Sequence, residues 1–220
     1  MNMTKQLPQS KTTQVDELCA LSPVVPVLTF QTTEEALPVA EALLKGGVSV
    51  LEVTLRTPVS LDAIHMLAEK LPEAMIGAGT ITEPGLYKAA EEAGARFIVS
   101  PGLTTELLET GIDSTIPLLP GIQTISEMME GLRHGYQRFK FFPASIAGGA
   151  DALKAYAGPF GDIKFCPTGG INLNNAEDYL SLKNVMCVGG SWLTPQSLIE
   201  NKDWKAIEHL AEETIARLKR

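Results

Sequence analysis

Cysteine is scarce in this chain, and basic charge is outnumbered by acidic charge. The three cysteines, Cys19, Cys166 and Cys187, are odd in number and show no C-x-x-C spacing. That argues against a disulfide framework or a zinc site, and free thiols suit a reducing cytoplasm. Histidine is equally sparse: His65, His134 and His209 fall on three separate expected helices, so no metal centre is expected. With 18 Lys and Arg against 26 Asp and Glu, the formal net charge is −8. Nucleic acid is therefore not the expected partner, since phosphate backbones are held by a basic face. No apolar run approaches the roughly 20 residues that span a bilayer, and residues 1–16 lack the apolar core of a signal peptide. A soluble cytoplasmic protein without a membrane partner is expected.

What is present is ordinary globular material: 220 residues, 45% hydrophobic and 20% charged. One substantial core and one domain follow as the default. Residues 1–9 read as a flexible tail and 10–220 as that domain, with a leading helix over 10–21. An alternation then begins. Strand patterns at 24–30, 48–54, 74–78, 96–99, 115–119, 137–142, 163–166 and 185–188 are separated by helical patterns at 33–45, 60–70, 83–93, 104–110, 124–134, 149–156 and 173–182. A final helix covers 204–218, and Ser60 is expected to cap the helix at 60–70. Strict β–α alternation implies parallel strands joined by crossovers. Eight such units in this length predict a single (β/α)₈ TIM barrel of the α/β class with an extra N-terminal helix. The competing open doubly wound sheet would carry G-x-G-x-x-G after its first strand; Phe30 is followed instead by Gln31-Thr32-Thr33.

In a barrel the reactive residues gather at the C-terminal ends of the strands. The sixth strand carries Arg138-Phe139-Lys140-Phe141-Phe142-Pro143, a lysine among aromatics. A lysine ammonium in such surroundings loses hydration, which favours the neutral amine, a nucleophile that condenses with ketones. The bland alternative is a lysine that snorkels to water. On the second strand Glu52, Thr54 and Arg56 share a face opposite Leu51, Val53 and Leu55. An inward carboxylate and guanidinium are either a buried structural pair or a ligand site. The third strand runs into Gly77-Ala78-Gly79-Thr80, while Ser100-Pro101-Gly102 and Pro120-Gly121 read first as turns. After the last two strands come Thr168-Gly169-Gly170-Ile171 and Gly189-Gly190-Ser191-Trp192, Gly-rich turns of the kind that hold phosphate in barrel enzymes. A rival lysine, Lys164, sits too deep on the seventh strand and is expected to face outward.

Taken together, these strand ends resemble the KDPG/KHG aldolase family (2-keto-3-deoxy-6-phosphogluconate and 4-hydroxy-2-oxoglutarate aldolases). The likeness runs through Pro23-Val24-Val25-Pro26-Val27, Gly46-Gly47-Val48, 51–57, 77–80, 100–102, 139–144, 165–171 and 189–192, over about residues 20–195. It implies a class I Schiff-base aldolase that needs no cofactor. Its substrate would be a small 2-keto acid bearing phosphate, cleaved to pyruvate and glyceraldehyde 3-phosphate, with 4-hydroxy-2-oxoglutarate cleaved to pyruvate and glyoxylate. By resemblance Lys140 forms the Schiff base and Glu52 is the general acid/base. Arg56 and Thr80 hold the substrate carboxylate, and Pro101, Phe142 and Thr168 line the pocket. Gly169, Gly170, Gly190 and Ser191 bind the phosphate. A homotrimer is implied as well. The residues alone leave two other readings open: a phosphosugar isomerase or epimerase using Glu52, and a non-catalytic phospholigand-binding barrel.

Overall fold

A computed structural model describes residues 5–218. The chain begins with helix α1 (Gln9–Ala20) and strand β1 (Val24–Leu28), then alternates α2 (Thr33–Lys45), β2 (Val50–Thr54), α3 (Ser60–Lys70), β3 (Met75–Gly79), α4 (Pro84–Glu92) and β4 (Ile98–Val99). It continues through α5 (Thr105–Asp113), β5 (Leu118–Leu119), β6 (Gly121–Ile122), α6 (Ile125–Arg133), β7 (Arg138–Phe141), α7 (Gly149–Tyr156) and β8 (Lys164–Pro167). The last elements are α8 (Ala176–Leu180), β9 (Val188–Gly190), α9 (Gln196–Glu200) and α10 (Trp204–Leu218).

All strand pairs are parallel, in a six-stranded sheet ordered β5-β4-β3-β2-β1-β9 and a three-stranded sheet ordered β6-β7-β8. The result is an α/β fold built on a curled parallel sheet. The fifth strand, expected over 115–119, is only Leu118–Leu119 and resumes as β6 beyond Pro120, which has no N–H to give to a ladder. Its carbonyl still accepts the N–H of Lys140 at 2.9 Å. Between β8 and β9, parallel bridges join Phe165 to Val185 and Thr168 to Gly189.

The alternation read in the sequence sorts side chains into two cores. Leu51, Val53, Ile76, Ala78, Phe139, Phe141 and Phe165 pack outward under the helices. Val25, Val50, Phe97, Val99, Leu119, Cys166 and Cys187 face the other way. Each fully buried side chain of this kind is worth about 1.5–3 kcal/mol. Helix α1 plugs the inner core at the N-terminal ends of the strands with Val15, Leu18 and Cys19. Two polar anchors hold the plug. Lys11 Nζ donates to the carbonyls of Ser114 (2.6 Å) and Ile116 (3.0 Å), and Arg138 makes a two-pronged ion pair with Asp16 (2.5 and 2.8 Å).

Several local expectations change. Ser60 is the first residue of α3 rather than its cap; its hydroxyl donates to the Thr54 carbonyl at 2.8 Å and ties the helix to the end of β2. The helix expected over 173–182 is only Ala176–Leu180. Asn172 and Asn175 instead bond within the turn that precedes it, with Asn175 Nδ2 donating to the Gly170 carbonyl at 3.0 Å. Helix α9 is too short for its periodicity to show. Of the tail expected over 1–9, residues 1–4 lie outside the described residues. Leu7 N donates to the His134 carbonyl at 2.8 Å, and Lys5 reaches Asp113 at 2.6 Å. Among the described residues no helix is long and apolar enough to cross a membrane.

Candidate active site

The outward packing of Leu51 and Val53 turns Glu52 inward, and the outward packing of Phe139 and Phe141 does the same for Lys140. The two meet: Lys140 Nζ lies 2.9 Å from Glu52 Oε1, with side-chain exposures of 6% and 4%. Sequestering such a pair costs several kcal/mol per ion, and the attraction offsets that only with full hydrogen bonding. This ammonium makes one hydrogen bond to the protein, plus an approach of 5.5 Å to the Phe142 ring centre. A lysine left with unused donor capacity beside a carboxylate is poised for chemistry. Direct proton transfer from ammonium to carboxylate at 2.9 Å leaves a neutral amine nucleophile and a carboxylic acid that can return the proton.

The pairing of Glu52 with Arg56, open at the level of sequence, is not what forms. Arg56 stands exposed two residues beyond β2, and its Nε donates to Thr80 Oγ1 at 3.1 Å. Thr80 holds φ at +61°. A β-branched residue there is strained by about 1–2 kcal/mol, and such strain collects at working sites. Here it accompanies a threonine hydroxyl held at the strand end against the guanidinium.

Just past β8, the next inward residue after Cys166 is Thr168. It is 5% exposed, and its hydroxyl has no hydrogen-bond partner. An orphaned buried hydroxyl costs about 1–3 kcal/mol, a penalty that a polar ligand would relieve. Gly189 is what makes room for it: a Cβ there would stand 2.2 Å from Thr168 Oγ1.

Gly169 and Gly170 follow with φ of +101° and +72°, which side chains rarely adopt. Ser145 lies against this turn. A Cβ on Gly170 would come within 2.0 Å of its Oγ, and Ser145 N donates to the Gly169 carbonyl at 3.0 Å. Beyond β9, Gly190 packs against the Trp192 ring, whose Nε1 donates to Thr214 on α10. Ser191 is exposed beside a cavity of about 300 Å³ bounded by Leu28, Thr29, Phe30 and Thr194. Pro101 is half-buried in the loop after β4, where Gly121 lies so close that a Cβ would meet its carbonyl at 2.4 Å.

Each residue assigned to the site from the sequence therefore lies at, or within three residues of, the C-terminal end of a strand. Direct contacts join Lys140 with Glu52 and with Phe142, and Arg56 with Thr80. Lys164 is exposed at the opposite end of β8. Sequence reasoning missed the Thr29–Thr54 hydroxyl pair at 2.7 Å and the Ser145 contact. Neither Thr29 nor Ser145 belongs to a motif. Only the fold places threonines 25 positions apart side by side.

Comparison with known proteins gives one consistent result. A family model described as KDPG and KHG aldolase matches residues 15–210. A 2-dehydro-3-deoxy-phosphogluconate aldolase from Pseudomonas aeruginosa is 50% identical over 209 residues, covering 95% of each chain. The KHG/KDPG aldolase of Escherichia coli K12 is 50% identical over 203 residues, covering 92% of this chain and 95% of its own. Among solved structures, a Legionella pneumophila KDPG aldolase holds pyruvate captured at low pH as a covalent carbinolamine intermediate. It superposes with a TM-score of 0.91 at 52% identity, covering 93% of this chain and 99% of its own. A Zymomonas mobilis ZM4 relative solved with 3-phosphoglycerate gives 0.88 at 44% identity, covering 92% and 95%.

Proposed function

The chain belongs to the KDPG and KHG aldolase family, and from that premise we propose that it is a class I aldolase working through a Schiff base on Lys140. Its substrate is 2-dehydro-3-deoxy-6-phosphogluconate, cleaved to pyruvate and glyceraldehyde 3-phosphate, with 4-hydroxy-2-oxoglutarate as a second substrate cleaved to pyruvate and glyoxylate. The observation that carries this reading is the buried 2.9 Å contact between Lys140 Nζ and Glu52 Oε1.

The chemistry follows from that contact. Glu52 takes a proton from Lys140, and the freed amine adds to the C2 ketone. The carbinolamine loses its hydroxyl as water, with Glu52 returning the proton, to give a protonated imine. Glu52, again a base, removes the C4 hydroxyl proton. The C3–C4 electron pair then moves toward the imine nitrogen, leaving an enamine and releasing the aldehyde. Protonation at C3 and hydrolysis of the imine liberate pyruvate and restore the amine. One carboxylate can serve each transfer because it already stands within hydrogen-bond reach of the nitrogen.

Around this centre Arg56 and Thr80 hold the substrate carboxylate, supported by their mutual 3.1 Å bond at the strand ends. Pro101, Phe142 and Thr168 line the pocket, and the unpartnered Thr168 hydroxyl gains a partner from the substrate. Gly169, Gly170, Gly190 and Ser191 seat the phosphate, a role suited to the left-handed turn after β8. The two parallel sheets act as one closed (β/α)₈ barrel. That is supported by the carbonyl of Pro120 bonding to β7 and by the two bridges from β8 to the β9 edge. Residues 10–220 form one domain that works in the cytoplasm as a homotrimer, in keeping with the family.

Incubation with pyruvate and borohydride tests the reading. A reduced pyruvyl adduct mapped by mass spectrometry to Lys140 is expected. An adduct on Lys164 would overturn the assignment of Lys140, and no adduct would point to an isomerase or a non-catalytic binder instead.

A further inference from the structure

Gly79, the last residue of β3, is not explained by backbone conformation. Its φ lies outside the left-handed region, so an alanine would suit the strand geometry. Space is the constraint. A Cβ at this position would stand 2.2 Å from Glu52 Oε1 and 2.8 Å from both Cδ and Cγ of the same side chain. The crowded atoms are thus the end of Glu52 itself, including the oxygen that bonds Lys140 Nζ at 2.9 Å. The other route for relief is closed, because Glu52 is 3% exposed and pinned between β1 (Val27) and β3 (Gly77) by strand register. Gly77, two residues earlier on the same face, would meet the Phe97 ring rather than Glu52, so the clearance over the carboxylate belongs to Gly79.

We propose that Gly79 is a positioning residue for the reaction: its missing side chain is the slot in which the Glu52 carboxylate lies against Lys140. The inference rests on the Schiff-base reading above. It adds that the carboxylate's reach is set from the neighbouring strand, not by Glu52 alone. A methyl group at residue 79 pushes the carboxylate off the amine, so both amine deprotonation and the later proton transfers slow. The phosphate seat follows β8 and β9 and is spared, and Thr80, the next residue, keeps its place because Gly79 already holds a backbone conformation that alanine adopts.

The test is a double-mutant cycle in the full chain with Gly79→Ala, Glu52→Gln and the pair. Wild-type protein is first required to trap pyruvate on Lys140; failure there removes the Schiff-base reading and is seen before any variant is made. Given trapping, Gly79→Ala should lower kcat about 100-fold, within the span of general acid–base effects, with KM changed less than about three-fold. Adding Glu52→Gln to Gly79→Ala should cost no more than about three-fold further, because the carboxylate is already displaced. Wild-type turnover in Gly79→Ala, or fully additive losses in the pair, overturns the proposal. A stability cycle covers the case in which Gly79→Ala folds poorly. The thermal midpoint should drop by about 5 °C in the Glu52 background and by less than about 1 °C once Glu52 is alanine. An equal drop in both backgrounds places the strain elsewhere and also overturns the proposal.

Discussion

Two buried lysines serve opposite ends of the same strands and are treated differently. Lys11, on the helix that plugs the base, is 8% exposed and gives its protons to two backbone carbonyls. Lys140, at the mouth, is 5% exposed and has a single carboxylate. Burial pushes the Lys11 ammonium down from its ordinary pKa, opposed by the charge of Glu91. Both carbonyls that it binds belong to the loop before β5, so two of its three N–H donors are spent on the fold and neither goes to an acid/base group. Lys140 keeps donor capacity in reserve and faces an acid/base group. Burial alone therefore does not mark a reactive lysine. The nature of the partner separates the two, since a backbone carbonyl takes no proton whereas a carboxylate can.

The same contrast runs along β7 and β8. Arg138 at the base is locked to Asp16, while two residues on, Lys140 has one partner. On β8, Cys166 sits in the inner core with its sulfur 3.5 Å from that of Cys187, while two residues on, Thr168 has an unpartnered hydroxyl. Hydrogen bonding with Cys166 and Cys19, and then burial, push the Cys187 thiol well up. The base thiols are thus packing, and among the described residues the buried side-chain oxygen without a hydrogen-bond partner lies at the mouth.

Exchanging each lysine for methionine tests this division most severely. Lys140→Met should lose turnover by at least about 10⁴-fold, as removal of a nucleophile does, and should abolish the borohydride adduct. Lys11→Met should do the reverse. Losing two buried hydrogen bonds costs about 2 kcal/mol, or roughly 5 °C in thermal midpoint, with kcat within about two-fold of wild type. If Lys11→Met depressed kcat strongly at full stability, the base would have a hand in the chemistry and the division would fail. Thr168→Val gives the smallest effect and the finest resolution. Because its hydroxyl has no partner in the folded chain, unfolding stability should hold or rise. A lost substrate contact would reduce kcat/KM by about ten-fold. A clear drop in stability would instead mean that the hydroxyl belongs to the fold, as the Lys11 bonds do.

The readable part of the site was the part written in alternation. Phe139 and Phe141 point one way, so Lys140 had to point the other; Leu51 and Val53 fixed Glu52 by the same rule. Lys164 was likewise assigned outward from its depth on the strand, and it is exposed. Where alternation ended, inference weakened. Arg56 stands past the end of β2, beyond the pleat, and it turns to Thr80 rather than inward to Glu52. Ser60 looked like a cap because caps are usually Ser, Thr, Asp or Asn, but the Thr54 carbonyl on the adjacent strand end claimed its hydroxyl. The strand broken at Pro120 and the short α9 lacked the length that periodicity needs.

By itself the sequence determined the alternation of strands and helices, the face that residues within the strands take and the lysine proposed to carry the chemistry. Those are local properties: side-chain period, turn residues and the cost of burying charge. Only the tertiary structure decided which carboxylate meets that lysine, 88 positions away in the chain. It also decided that Gly79 leaves room for the meeting and that α1 closes the opposite end. Distances between strands depend on sheet curl, register and helix packing, which are set by many weak contacts at once and are written in no single motif.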